Sequence, residues 1–429
     1  MKSLKLFLTI IFLLMIYFYS KNEAAINQNN ILSILEKKTT QNLNDSTFIG
    51  IKEISALPLY SDIKENENEK IIRVHLKTLD AKLAVFSKYC FYIKNLDDLK
   101  IYEINMGKFF IWNKNNITVD NISSFKGFEI FPCSNMLISI DKKRYRGKIF
   151  IYNSPDGMIV VNHVSLEKYL YGVVSREIPT TWKTEALKAQ AVAARSYVLY
   201  RCMENSKNKK NFYDIKSTAT AQQYWGYDYE TQKVRNAVDS TENIVLTYGK
   251  KNKRLVAAYY HSNSGGYTID DVHIWNANFE KPYLEEIEDK FSLNTPNNKW
   301  EYVFSSDRMQ TILKRYYPQI GEIENIIPNK LSKFGRVIEL LITHKNGSIL
   351  INSETFRNRL GAFKIRSTLF KIEMIDNKFV FTGKGFGHGV GMSQWGIKKM
   401  ADSGYKYKDI LKYYYINTEL NIYKNNLYL

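Results

Sequence analysis

Two stretches of this chain carry side chains able to do chemistry. Tyr171–Pro179, YGVVSREIP, sets one carboxyl group, Glu177, among Val173, Val174, Ile178 and Pro179. Apolar neighbours that withdraw water raise a carboxyl pKa, so an acid placed there stays protonated near neutrality and can donate a proton. An arbitrary glutamate beside a helix is usually a solvated loop residue, so the case for Glu177 needs support from the rest of the chain. The second stretch, Gly383–Gly396, reads GKGFGHGVGMSQWG, with glycine at 383, 385, 387, 389 and 391. Every second position is bare, and a glycine-rich strand packed under another element is one reading. The other is a cleft wall presenting His388, Ser393 and Gln394 as neutral hydrogen-bonding groups for sugar hydroxyls or acetamido groups. The glycines lack the spacing of a dinucleotide fingerprint and no phosphate-loop ending follows them, which disfavours nucleotide binding.

The residues around both stretches resemble the stage II sporulation protein D family. Val164–Gly172, Glu177–Pro179, Glu185–Tyr197, Gly383–Gly396 and Ile410–Tyr415 carry the resemblance, with Tyr145–Gly147, Gln222–Gly226, Ser264–Thr268, Phe334–Val337 and Arg366–Phe370 as intermediate landmarks. It runs from Ile72 to Thr418. The resemblance implies a secreted or membrane-anchored cell-wall enzyme: a peptidoglycan lytic transglycosylase with Glu177 as its single acid/base, working without a cofactor. Substrate-binding positions are expected at Lys188, Arg195, Gln222, Ser262, Ser264, His388, Ser393 and Gln394. Implied partners are peptidoglycan glycan strands, a wall amidase and a multispanning membrane scaffold of the engulfment machinery, with no nucleic acid. The same domain family includes amidase enhancers, so a non-catalytic wall binder that stimulates an N-acetylmuramoyl-L-alanine amidase is the alternative. Some family members hold zinc with a histidine and nearby cysteines around the Gly-Gly-Tyr-Thr segment. Here His261 has no cysteine close in sequence, so no metal is expected and His261 reads as a polar cleft or core residue.

The elements that must position these groups make an α+β protein, a mixed β-rich body with a long helix after the catalytic loop and short helices near the C-terminus. A helix is expected from Trp182 to roughly Cys202, where Leu187, Ala191, Ala194 and Val198 form an inward stripe. Lys188 and Arg195 lie one residue beyond two of those positions, on a flank that could face a ligand. Strands are expected at Ile71–Leu76, Lys108–Trp112, Leu137–Ile140 and Lys148–Tyr152, with a hairpin turn at Asp156-Gly157 before Met158–Asn162. Further strands are read at Asn243–Thr247, Leu255–Tyr260, Val337–Thr343 and Ser348–Asn352, and helices at Asp307–Tyr316, Met392–Met400 and Lys408–Tyr415. Residues 296–381 read mainly as scaffold.

The N-terminus places Lys2 and Lys5 before the apolar run Leu6–Ser20, the layout of an export signal. A 15-residue helix spans about 22 Å, short of a ~30 Å hydrocarbon core, but no clean small-x-small cleavage site follows. The expected organisation is an anchor at 1–25, a flexible stalk at 26–70, an N-terminal β-rich part at 71–160 and a catalytic domain at 161–420. The body would lie outside the cytoplasm, with secretion after signal cleavage as the alternative. Among 429 residues, 45% are hydrophobic and only 8 are proline, which excludes a disordered chain. The net charge of +18 comes from scattered lysines and marks no single patch. Three cysteines, widely spaced and without a Cys-x-x-Cys pair, allow one bridge at most.

Overall fold

Apolar and polar residues alternate along β1 (Ile71–Leu79), so Ile72 and Val74 are buried while Arg73 and His75 stay half-exposed. The computed structural model describes residues 51–54, 69–133, 137–207, 211–275 and 281–424. The expected anchor and nearly all of the expected stalk lie outside the described residues. Among the described residues no helix is long and apolar enough to cross a membrane. β1 belongs to a curled sheet with β2 (Lys82–Asn95), β3 (Ile101–Trp112), β4 (Gly127–Pro132), β5 (Lys148–Ser154) and β6 (Gly157–Ser165). The order β1, β6, β5, β4, β2, β3 is antiparallel throughout. β5 and β6 meet in the expected hairpin, with Ser154 opposite Gly157. Cys90 on β2 is disulfide-bonded to Cys133, and Cys202 is free and buried.

β6 runs directly into α1 (Leu166–Glu177), and here the structure departs from the sequence reading. Glu177 is the last residue of a helix and does not sit in a loop. Leu166, Tyr169, Leu170, Val173 and Val174 recur at helical spacing and are all buried, each contributing roughly 1.5–3 kcal/mol. Gly172 supplies a bare patch against which Tyr224 packs; a Cβ there would lie 2.8 Å from the Tyr224 ring. Four residues after Glu177 the chain turns, and α2 (Thr184–Ser206) begins close to its expected start. The expected inward stripe understates its burial, because Ala189, Gln190, Val192, Ala193, Arg195 and Ser196 are buried as well. α3 (Gln232–Asp239), capped by Thr231, and β7 (Ile244–Tyr248) pack around it.

Residues 262–391 leave and re-enter the body at one place, since Tyr260 pairs in parallel with Met392 and His261 with Ser393. Within that excursion β8 (Lys299–Ser305), α4 (Ser306–Tyr316), β9 (Ile323–Leu331), β10 (Val337–His344), β11 (Gly347–Asn352), α5 (Ser353–Leu360), β12 (Phe370–Ile375) and β13 (Lys378–Lys384) form two three-stranded sheets and two helices. They enclose their own core, including Phe304, Met309, Leu313, Leu340, Ile342, Phe356 and Phe381. Leu255–Tyr260, expected as one strand, is strand only at its two ends. After the excursion come α6 (Gln394–Asp402), α7 (Tyr407–Tyr414) and β14 (Thr418–Ile422), the last pairing with β7.

Between Lys384 and Met392 the glycine-rich stretch is not a continuous strand. Gly385, Gly387, Gly389 and Gly391 all have positive φ, +70° to +109°, a region that L-residues with side chains rarely adopt. Gly389 also faces the buried guanidinium of Arg336, where an added Cβ would lie 2.6 Å from Cζ. Gly389→Ala is therefore expected to lower unfolding stability by about 2–4 kcal/mol, read as a fall in the denaturation midpoint with an unchanged slope.

Candidate active site

Glu177 closes α1 facing a loop, residues 217–226, that is tied to itself by the Ser217 hydroxyl donating to Tyr224 O at 2.5 Å. From that loop the backbone N–H of Gln223 donates to Glu177 Oε1 at 2.8 Å. From the start of α6, Gln394 Nε2 donates to Oε2 at 3.4 Å. Val173, Val174 and Ile178 are buried as expected, but Pro179 is exposed and withdraws no water. Burial pushes the Glu177 carboxyl up to about 7, against the opposing pull of the Gln223 and Gln394 hydrogen bonds and the nearby Arg176 charge. The same proximity appears from the other side: burial and then the Glu177 charge hold Tyr169 and Tyr260 in the phenol form. Glu177 is thus mainly protonated below neutral pH, held by two donors with Tyr169 and Tyr260 nearby.

Of the eight positions expected to contact substrate, Gln394 reaches Glu177 directly. Gln222 does so at one remove. It is fully buried, accepts from Tyr169 OH at 2.8 Å, and donates to Ala194 O at 3.1 Å and Tyr260 OH at 3.2 Å. These bonds fix the backbone of the next residue, Gln223, whose N–H holds the acid. Lys188 is half-buried on α2, 3.9 Å from Glu185 and 5.9 Å over the Tyr407 ring, where α2 meets α7. Ser262 is half-buried and its carbonyl accepts from Trp395 N.

The other four are placed differently. Arg195 does not face a cleft: it is fully buried, paired in two-pronged fashion with Glu167 at 2.8 and 2.6 Å, and also donates to Ile244 O. A guanidinium without water needs a carboxylate of its own, and Glu167 from α1 supplies it. Ser264 and Ser393 are fully buried around Asp289, the former donating to its Oδ2 at 2.7 Å, the latter 2.6 Å from Ser292 Oγ and capping α6. Ser264, Ser292 and Tyr414 donate to Asp289, and burial still pushes its carboxyl upward. His388 is held neutral, burial and Arg357 driving its pKa down to about 3, with Nδ1 accepting from Val390 N at 3.0 Å. Its ring lies beside His261, Tyr259 and Trp275, and no hydrogen bond or ring contact joins it to Glu177 among the described residues. His261 is a core residue, with Nδ1 3.1 Å from Val390 O and its pKa depressed by burial.

Sequence reasoning missed Gln223, whose contribution is a backbone N–H that no side-chain type announces. It also missed Arg336, a fully buried guanidinium that donates to Ser264 O and Tyr267 O and so ties the base of the excursion to its own sheet. Among the described residues one group could hold a metal: Asp270, His273 and Glu286, whose ligand atoms lie within 4.8 Å of one another. Asp270 already bonds the His273 ring at 2.7 Å and its backbone N–H at 2.8 Å, so a helix cap accounts for that contact.

One carboxyl with a raised pKa, held by a loop amide and a glutamine, sits at the end of α1 on an α+β frame. Residues 154–248, which contain Glu177 and both of its supporting helices, match the family model described as stage II sporulation protein. Residues 281–391 match a model for a domain of unknown function. An uncharacterized protein of Brachyspira hyodysenteriae is 31% identical over 356 residues, covering 82% of this chain and 93% of the relative. Stage II sporulation protein D of Bacillus subtilis is 32% identical over 275 residues, covering 61% of this chain and 76% of the relative. The amidase enhancer of Bacillus subtilis is 28% identical over 363 residues, 72% of this chain and 49% of the relative. The chain belongs to the stage II sporulation protein D family.

The raised pKa has a thermodynamic consequence. A carboxyl whose folded pKa exceeds its unfolded value of 4.5 favours the folded state below 4.5, and that advantage disappears as pH rises through about 7. Glu177→Gln keeps the acceptor for Gln223 and cannot ionise. Its stability relative to wild type is expected to rise between pH 4.5 and 8 by up to about 3 kcal/mol, measured by chemical denaturation at both pH values.

Proposed function

We propose that this protein is a peptidoglycan lytic transglycosylase that cleaves the bond between N-acetylmuramic acid and N-acetylglucosamine, leaving a 1,6-anhydromuramoyl end. Family membership and the amidase-enhancer relative support a sporulation-associated role at the cell wall. The observation that carries the finer reading is Glu177: its protonation is set by burial, Gln223, Gln394 and Arg176, with no second carboxylate among these causes. Glycoside hydrolysis ordinarily takes two carboxyl groups, one as acid and one as nucleophile or base. One is enough when the substrate supplies its own nucleophile. Glu177 gives its proton to the bridging oxygen as the C1–O bond breaks, the C6 hydroxyl of the same muramoyl residue attacks C1, and the hydroxyl proton returns to Glu177. No water is consumed, and the tethered hydroxyl has a high effective molarity.

The proposed setting is engulfment during endospore formation, beside a wall amidase and a multispanning membrane partner. An N-terminal anchor would hold the body outside the cytoplasm; secretion after signal cleavage is the alternative. The Cys90–Cys133 bridge supports an oxidising compartment. The amidase-enhancer relative favours a second reading, a non-catalytic wall binder that stimulates an amidase.

Purified glycan strands without a partner enzyme separate the two. Wild-type protein is expected to release anhydromuramoyl ends, detected by mass spectrometry, with kcat/KM falling as pH rises through about 7. Glu177→Gln should lose roughly 10²–10⁴-fold in rate. Reducing ends alone from wild type, or full turnover by the variant, would overturn the transglycosylase reading.

A further inference from the structure

The residue before the acid is a cation with no counter-ion among the described residues. Arg176 is half-buried in the last turn of α1, with its guanidinium carbon 3.8 Å from the centroid of the Trp225 ring. Lys143 Nζ lies 4.6 Å from the same ring, and Tyr229 braces the indole edge-on at 4.9 Å. The neighbouring cations are matched, Arg144 to Asp228 at 2.5 Å and Arg146 to Glu230 at 2.8 Å. Arg176 and Lys143 have no carboxylate within ion-pair distance among the described residues. Arg176 Nε is also buried and has no hydrogen-bond partner among the described residues, and the indole face lies against its guanidinium. A basic residue at a helix C-terminus favours the helix dipole, but that accounts for neither the indole platform nor the second cation.

We infer that Arg176 and Lys143, braced on Trp225, form a carboxylate subsite beside Glu177 that takes an acid group carried by a muramoyl residue. The inference rests on the proposed glycan substrate. Contact with the Trp225 face limits the freedom of the guanidinium, whose planar fork of donors is suited to a planar carboxylate. Trp225 and Gln223 belong to the same loop, so the acid and this subsite share one support. Muramic acid offers two sources of such a group. Its lactyl ether ends in a free carboxylate when the stem peptide is absent, and the stem peptide carries carboxylates of its own when present. Neutralising Arg176 with a bound carboxylate would also remove a charge that opposes protonation of Glu177.

Binding is read by co-sedimentation of the full chain, in a Glu177→Gln background, with four glycan preparations: peptide-free strands, peptide-bearing strands, and each of these with carboxyl groups capped as methyl amides. Capping is expected to weaken binding by roughly ten- to a hundredfold and to leave an Arg176→Gln, Lys143→Gln double variant unaffected. Retention of the effect on peptide-free strands assigns the lactyl carboxylate; its restriction to peptide-bearing strands assigns the stem. Arg176→Lys, which keeps charge without the planar fork, should fall between, and thermal melting confirms that each variant folds. In the Glu177-containing enzyme, the upper pH limb should lie higher in kcat than in kcat/KM, and the gap should close in Arg176→Gln. The inference fails if capping changes wild-type affinity less than twofold, or if the double variant responds as wild type does. Cleavage that ignores capping would overturn the subsite alone, whereas carboxylate-dependent binding without any cleavage would overturn the transglycosylase reading alone.

Discussion

The hydrogen bond from the Gln223 backbone to Glu177 depends on most of the molecule being in place. A buried carboxyl is stable at neutral pH only if it is protonated or richly solvated by donors. Here two donors offset only part of the burial, leaving the pKa at about 7, and they fix the direction of the carboxyl. The donor amide is set by Gln222, which is set in turn by Tyr169 on α1, Tyr260 before the excursion and Ala194 on α2. Three segments distant in sequence thereby converge on one acid, and each would loosen it by moving.

The buried cations do the complementary work of holding those segments together. Arg195 joins α2 to α1 through Glu167 and to β7 through Ile244 O. Arg336 gathers carbonyls of Ser264 and Tyr267, and burial lowers its pKa only to about 10, so it remains charged. Removing one partner from such an arrangement leaves an uncompensated charge in the interior, which costs more than the pair itself contributes. Arg195, read in the sequence as a ligand contact, bonds here to the buried partners Glu167 and Ile244 O.

Local pattern made much of the architecture readable. The hairpin at Asp156-Gly157, the helices Thr184–Ser206 and Ser306–Tyr316, and strands Val337–His344 and Gly347–Asn352 lie within a few residues of their expected places. α1 did not read as a helix because Gly172, two valines, Ile178 and Pro179 look like a loop, although Leu166, Tyr169, Leu170, Val173 and Val174 keep helical spacing. In the site, Glu177 and Gln394 were legible as residue types in context. Arg195, Ser264 and Ser393 were not, because whether a polar side chain meets solvent or a buried partner depends on Glu167 and Asp289, whose approach is tertiary. Alternating glycine reads as a strand, yet four positive φ values make it a coil that only glycine can trace.

The parallel pairing of Tyr260–His261 with Met392–Ser393 brings the two ends of a 262–391 excursion side by side. A segment whose entrance and exit share a doorway is topologically independent of what lies between them. Its interior has a separate core, the mark of a segment that could pack as a unit of its own. The annex thus has an interior of its own while its base is fastened to the body through Asp289, which accepts from Tyr414, and Ser292, which meets Ser393.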